Sequence, residues 1–167
     1  MGEVIRIDSI SQLHKVIGYD KPLHPLISTI DYSRVEVNAD ITNVSVITTL
    51  YSIAFKKNVS GQLRYGRGTY DFEEGAMIFI GPEQLIEHQD ESSQPTHEGW
   101  GLYFHPDLIR GHAINNKMHE YSFFGYESNE ALHVSEKERK TLEAVVKAIK
   151  AEYSQNSDDF SIEINSV

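Results

Sequence analysis

Short runs of alternating apolar and polar residues occupy most of the chain, and the clearest 3.6-residue period comes only near its end. Residues 61–87, GQLRYGRGTYDFEEGAMIFIGPEQLIE, carry the alternation best. Leu63 and Tyr65 alternate with polar neighbours, and Tyr70 and Phe72 repeat that period, as half-buried strands do. Glu73-Glu74-Gly75 punctuates the run, with Gly75 free to take a positive φ. Residues 76–80 form an apolar run of strand length. Gly81-Pro82 closes it, and residues 84–88 resume the alternation. Three short strands joined by tight turns predict one wall of an antiparallel barrel or jelly roll.

The flanking chain extends this picture. Residues 5–8 read as a short edge strand. Ser9-Ile10-Ser11-Gln12 fits a capping box, and Ile10, Leu13 and Ile17 have helical spacing, so a short helix is expected near 10–17, stopped at Gly18. Pro22 and Pro25 prevent its continuation. Residues 26–31 read as a strand and 34–43 as a loop. The longest strand is expected over 43–57, with Tyr51, Ile53 and Phe55 on one face and Leu50, Ser52 and Ala54 on the other. That second face either lines a cavity or meets solvent. Residues 89–98 are polar and form a loop. Residues 98–104 alternate again and should return antiparallel to the strand before them. Pro106 opens a helical turn ended by Gly111. Residues 112–120 read as irregular, and 121–125 and 131–134 as short strands. Ser135-Glu136-Lys137-Glu138 is a second capping box. Leu142, Val145, Val146, Ile149 and Tyr153 then fall on one helical stripe. A further helix start is read at 158–167.

Composition narrows the function classes. The 167 residues suit one domain with a real core. A net charge of −10 argues against this chain gripping a polyanion. Nine acids and no Lys or Arg lie between Gly68 and Ile109. Cysteine is absent, which removes disulfides and thiol chemistry. No apolar run reaches 18 residues and no charged-then-apolar leader opens the chain. A cytoplasmic protein with no membrane partner is expected.

The order of aromatic strand, acidic turn ending in Gly, small apolar strand and Gly-Pro resembles the cupin fold. Together with HPLISTIDYS (24–33), GWGLYFHPDLIRG (99–111) and YSFFGYESNEALHVSEKE (121–138), the chain resembles the N-terminal sensing domain of AraC-type transcription regulators over residues 1–160. The resemblance implies a mainly β fold: a cupin-like jelly-roll barrel (double-stranded β-helix) over 1–134, followed by a helical hairpin over 135–167. It implies an unknown small-molecule effector in the barrel and a homodimer formed through Leu142, Val145, Val146 and Ile149. DNA would be contacted only through a helix-turn-helix domain beyond this chain, before which the sequence is read as truncated. The helical periodicity itself shows one buried face, set either against the barrel or against a second copy.

Many cupin enzymes hold a metal with a His-x-His pair. None of the eight histidines here are two or four apart, and the corresponding strand offers Tyr65, Arg67 and Thr69. Convergence of His88, His97 and His105 is the remaining metal reading, against a default of exposed loop histidines. Glu130-Ala131-Leu132-His133 has di-iron spacing but precedes the Ser135 cap, so it is set aside. Gly66-Arg67-Gly68 reads as a hairpin bend rather than a phosphate loop. No Gly-x-Ser-x-Gly elbow occurs. The aromatics of the strands either fill the core or line a pocket. The ligand-binding set expected from them is Tyr51, Tyr65, Arg67, Trp100 and Phe104. Arg67 would hold a carboxylate or phosphate, or would be a surface charge. No catalytic residue, metal ligand or cofactor is assigned, and a non-enzymatic sensing and dimerisation domain is expected. The alternatives are a stand-alone metal-dependent cupin enzyme and a ligand-free dimerisation module.

Overall fold

A computed structural model describes residues 3–36, 44–57, 62–65, 68–70, 75–89, 98–125, 132 and 134–155, with only the backbone of 62–65, 68–70, 88–89 and 123. In chain order its elements are β1 (Val4–Ile7), α1 (Ile10–Val16), β2 (Ile27–Asp31), β3 (Ser45–Thr48), β4 (Tyr51–Lys57), β5 (Gln62–Tyr65), β6 (Gly68–Tyr70), β7 (Ala76–Ile80), β8 (Gln84–Gln89), β9 (Glu98–Phe104), α2 (Ala113–Lys117) and α3 (Glu136–Tyr153). The fold is mainly β, in two sheets. One runs β1-β3-β8-β5-β6 and the other β2-β9-β4-β7. The described strands form two separate sheets rather than one closed barrel.

Pairing between strands distant in sequence builds both sheets. The expected single strand over 43–57 is two strands in different sheets. The break falls at Thr49 and Leu50. Thr49 N–H bonds the Ile7 carbonyl at 3.1 Å, Leu50 N–H bonds Thr48 Oγ1 at 3.1 Å, and the Leu50 side chain is fully buried against Ile7, Ile10 and Leu13. The expected wall over 61–87 also divides. β5, β6 and β8 share one sheet, while β7 pairs with β4 in the other. β9 lies antiparallel to β4 and β2, not to the strand before it. Local alternation predicts a strand but carries no information about its partner, and tertiary packing chooses that.

The crossover from β7 to β8 is pinned by polar groups. Glu83 sits at φ 64, an uncommon region for a non-glycine residue, and its N–H donates to the Thr48 carbonyl at 2.7 Å. Its carboxylate accepts both Arg6 guanidinium nitrogens, at 2.7 and 3.0 Å, and is held below the usual carboxylate range by that hydrogen bonding. Beside it, the buried Gln84 accepts Gly81 N–H and donates to the Phe124 carbonyl at 2.7 Å.

The helices form as their caps predict. Ser9 Oγ accepts Gln12 N–H, and Gly18 takes φ 64 after the first helix. Ser135 and Glu138 complete a reciprocal capping box for α3. Three segments differ from expectation. Residues 112–120 contain α2 and a 3₁₀ turn, Met118–Glu120, although His112 provides no side-chain cap. Ser122–Phe124 is a 3₁₀ turn rather than a strand. In 131–134, where residues 131 and 133 lie outside the described residues, Leu132 makes an isolated β-bridge to Met77. In the first two cases the packing of Met118 and Phe124 on the sheet outweighs a weak local pattern. The proposed second helix at 158–167 and the loop at 90–97 lie outside the described residues.

The four-stranded sheet is covered on both faces. On one face it opposes the five-stranded sheet. On the other, Ile27, Leu102 and Phe104 pack with Leu108, Ile109, Met118, Ile149 and Tyr153 of the helical segments. α3 docks through Tyr153, whose hydroxyl lies 2.7 Å from Thr29 Oγ1 and accepts Thr29 N–H at 3.0 Å. This satisfies a buried N–H on the outer edge of β2, which would otherwise lack a ladder partner. Tyr153→Phe keeps the ring and removes the acceptor. It is expected to destabilise the fold by about 1–3 kcal/mol, read from the urea midpoint, and to speed exchange of the Thr29 amide.

Candidate functional site

Strand alternation directs side chains of the four-stranded sheet to two different spaces. Facing the other sheet are Ser52, Ala54 and Lys56 on β4, Ile78 and Ile80 on β7, and Tyr103 on β9. From across the gap come Ile7, Val46, Thr48 and Ile86. α1 adds Leu13, Val16 and Ile17, and the segment after β2 adds Tyr32 and Val35. Together they enclose a cavity of about 230 Å³ between the sheets. Of the two faces weighed for β4, the small and polar one lines this cavity.

Apart from the hydroxyls of Thr48 and Ser52, the polar groups of the cavity are a cluster formed by Lys56, Tyr32 and Tyr103. The Tyr32 and Tyr103 hydroxyls are 2.8 Å apart, and burial raises both phenols above their ordinary pKa. The Lys56 ammonium sits 5.2 Å from the centre of the Tyr32 ring, a cation–π contact. No carboxylate among the described residues pairs with it, and burial lowers its pKa to about 8. Gly101 makes the cluster possible. A Cβ there would stand 2.3 Å from Tyr32 Oη and 2.5 Å from the Tyr103 ring. His14, within the expected helix over 10–17, is buried. Its Nδ1 meets the Asp20 carbonyl and its Nε2 lies 2.8 Å from Ser28 Oγ. A carbonyl only accepts, so Nδ1 carries a proton and the ring ties α1 to β2.

The second space, about 340 Å³, lies on the opposite face of the same sheet, beneath α2 and α3. It is lined by Ile53, Phe79, Trp100, Phe104 and the stripe Leu142, Val145, Val146 and Ile149. The Trp100 indole N–H is buried with no partner among the described residues. Arg139 of α3 reaches over the Phe55 ring at 5.6 Å, and Phe55 stacks near Trp100.

The expected ligand-binding residues therefore separate. Trp100 and Phe104 line the helix-covered space, and Tyr51 stacks on Phe104 with ring centres 5.1 Å apart. All three belong to the face turned away from the inter-sheet cavity. Tyr65 pairs in register with Ile86, and only its backbone is described. Arg67 lies outside the described residues. The helical stripe faces the sheet, the first of its two readings, although Val145 remains 39 % exposed. Sequence reasoning passed over Lys56 and Tyr32. The signal for Lys56 was present, since it continues the Ser52, Ala54 parity.

Among the described residues, no group of three or more His, Asp or Glu could hold a metal ion. His97 and the side chain of His88 lie outside them, and His105 caps the turn at Asp107. Among the described residues, no helix is long and apolar enough to cross a membrane. No family model matches the chain, and no curated protein matches it.

Lys56 has a thermodynamic signature. Its folded pKa, about 8, lies below its ordinary value of 10.5. Below pH 8 both folded and unfolded chains hold the proton, and the folded chain bears the full desolvation penalty. Between about 8 and 10.5 the unfolded chain binds more protons, so this group's contribution to stability rises with pH. Lys56→Met is expected to raise stability at pH 7 by about 1–3 kcal/mol. In thermal melts at a series of pH values, that gain should shrink as pH approaches 10.5.

Proposed function

We propose that this chain is the effector-binding and dimerisation domain of an AraC-type transcription regulator, acting in the cytoplasm, with a cupin-like jelly-roll arrangement of its two sheets. The observation that carries the reading is the inter-sheet cavity, an apolar space with a few convergent polar groups, the usual composition of a small-molecule site. The order of elements agrees with it: strands in two facing sheets, then a long capped helix. Described residues of the four segments that carry the resemblance lie in β2, β5 to β9 and the start of α3. The acidic balance, −10, fits a chain that leaves DNA contact to a separate domain.

Dimerisation is assigned to α3 and its surroundings. Ile114, Tyr121 and Val145 are each about 40 % exposed around the helix-covered space, an apolar rim that a second copy would cover. β4 supplies a physical route between the two functions. Its alternate residues line the effector cavity on one face and support α3 on the other. An effector acts on the regulator only by binding two arrangements of that helix with different affinity.

Two measurements test the proposal. The native gene product should exceed the 19.0 kDa of this chain by at least ~100 residues, the length of a DNA-binding domain. A native product of 19.0 kDa overturns the regulator reading. In a small-molecule thermal-shift screen, a ligand at a hundred times its Kd should add about 2.7 kcal/mol of stability. Ala54→Leu, which fills the cavity, should abolish that gain. Unchanged stabilisation of a folded Ala54→Leu protein would place the site elsewhere.

A further inference from the structure

The chemistry of the inter-sheet cavity restricts what it can hold, if it is a ligand site as proposed above. Val46, Ile78, Ile80 and Ile86 surround most of it. Beyond the hydroxyls of Thr48 and Ser52, a sugar or other polyol would leave hydroxyls against those side chains without partners, at a penalty for each. The apolar portion of the ligand must therefore be hydrocarbon. At about 230 Å³ the space is smaller than the ~300–1,000 Å³ typical of drug-sized sites, so the ligand is small.

The polar cluster asks for the opposite chemistry. Lys56 brings a positive charge that no carboxylate among the described residues neutralises, held in place by the Tyr32 ring. The groups facing it include two phenols, from the turn after β2 and from β9. Tyr32 and Tyr103 have two hydroxyl protons between them, and their mutual bond uses one. The other remains to donate to an acceptor. A cation and an O–H donor at the edge of a hydrocarbon-lined space select an acceptor-only, negatively charged group.

We propose that the inter-sheet cavity binds a small apolar monocarboxylate, with its carboxylate on Lys56 Nζ and the Tyr32–Tyr103 hydroxyl pair and its hydrocarbon part among Val46, Ile78, Ile80 and Ile86. Binding neutralises an ammonium that no described carboxylate pairs with and accepts the second hydroxyl proton in one step. A neutral analogue can still accept the hydroxyl proton but leaves the charge in place, and a cationic one does neither.

Matched probes test this: benzoate against benzamide and benzyl alcohol, and 4-methylpentanoate against its amide. Each is titrated into the wild-type chain and into Lys56→Gln and Tyr103→Phe, with binding followed by calorimetry and melting temperature. At least one carboxylate should bind the wild type about ten- to a hundredfold more tightly than its neutral partner. Lys56→Gln should erase that preference, and Tyr103→Phe should reduce it. Equal binding of acid and amide, or a preference surviving in Lys56→Gln, overturns the carboxylate assignment and leaves the cavity as a site for neutral molecules. If no probe of either kind binds, the assignment falls together with the cavity reading.

Discussion

β4 is paired on both edges, by β7 and β9, and its sheet is covered on both faces. No side chain in its centre is left to solvent. Ser52 and Ala54 point between the sheets, and Ile53 points under the helices. A shift of one residue in register would exchange the two sets and set the bulky aromatics into the cavity side. Tyr51, Phe55, Trp100 and Phe104 would then fill the space that Ser52, Ala54 and Gly101 keep open. The cavity exists because small residues occupy one parity of this sheet and large residues the other.

Polar groups lock the places where the chain leaves one sheet for the other. At Thr49 and Leu50 the break is closed by bonds to Ile7 and Thr48, and Leu50 is sealed beneath α1. At Glu83 a left-handed backbone is held by Arg6 from the edge strand β1. His14 and Tyr153 perform the same service from the helices, each bonding a group on β2. These contacts join residues far apart in sequence, and they align the two sheets that frame Lys56, Tyr32 and Tyr103.

Lys56 carries the tension between stability and function. A half-buried ammonium that no carboxylate among the described residues pairs with destabilises the folded chain, and Tyr32 offsets part of that through its ring. Proteins commonly hold such groups where a ligand completes them. The helix-covered space has a different character. It is lined largely by hydrocarbon and the indole of Trp100, beside the contacts through which Ile149 and Tyr153 dock α3 on the sheet. A single sheet lies between the two spaces.

The sequence by itself determined most elements, because their signals are local. Ser9 and Ser135 announce α1 and α3 through caps, Gly18 and Gly111 stop helical turns, period-two alternation marks β8 and β9, and a short apolar run marks β7. It also put Ser52 and Ala54 on one face and Tyr51 and Phe55 on the other. Which face meets the cavity was decided only by tertiary structure, since both parities of a doubly covered sheet are buried and alternation is symmetric between them. The same holds for strand partners: β4 chose β7 and β9 through contacts that no local pattern encodes. Tyr32 and Lys56 lie 24 positions apart and look like a turn aromatic and a strand-end charge. Only the folding of β2 against β9, and β9 against β4, brings that ring beneath that ammonium.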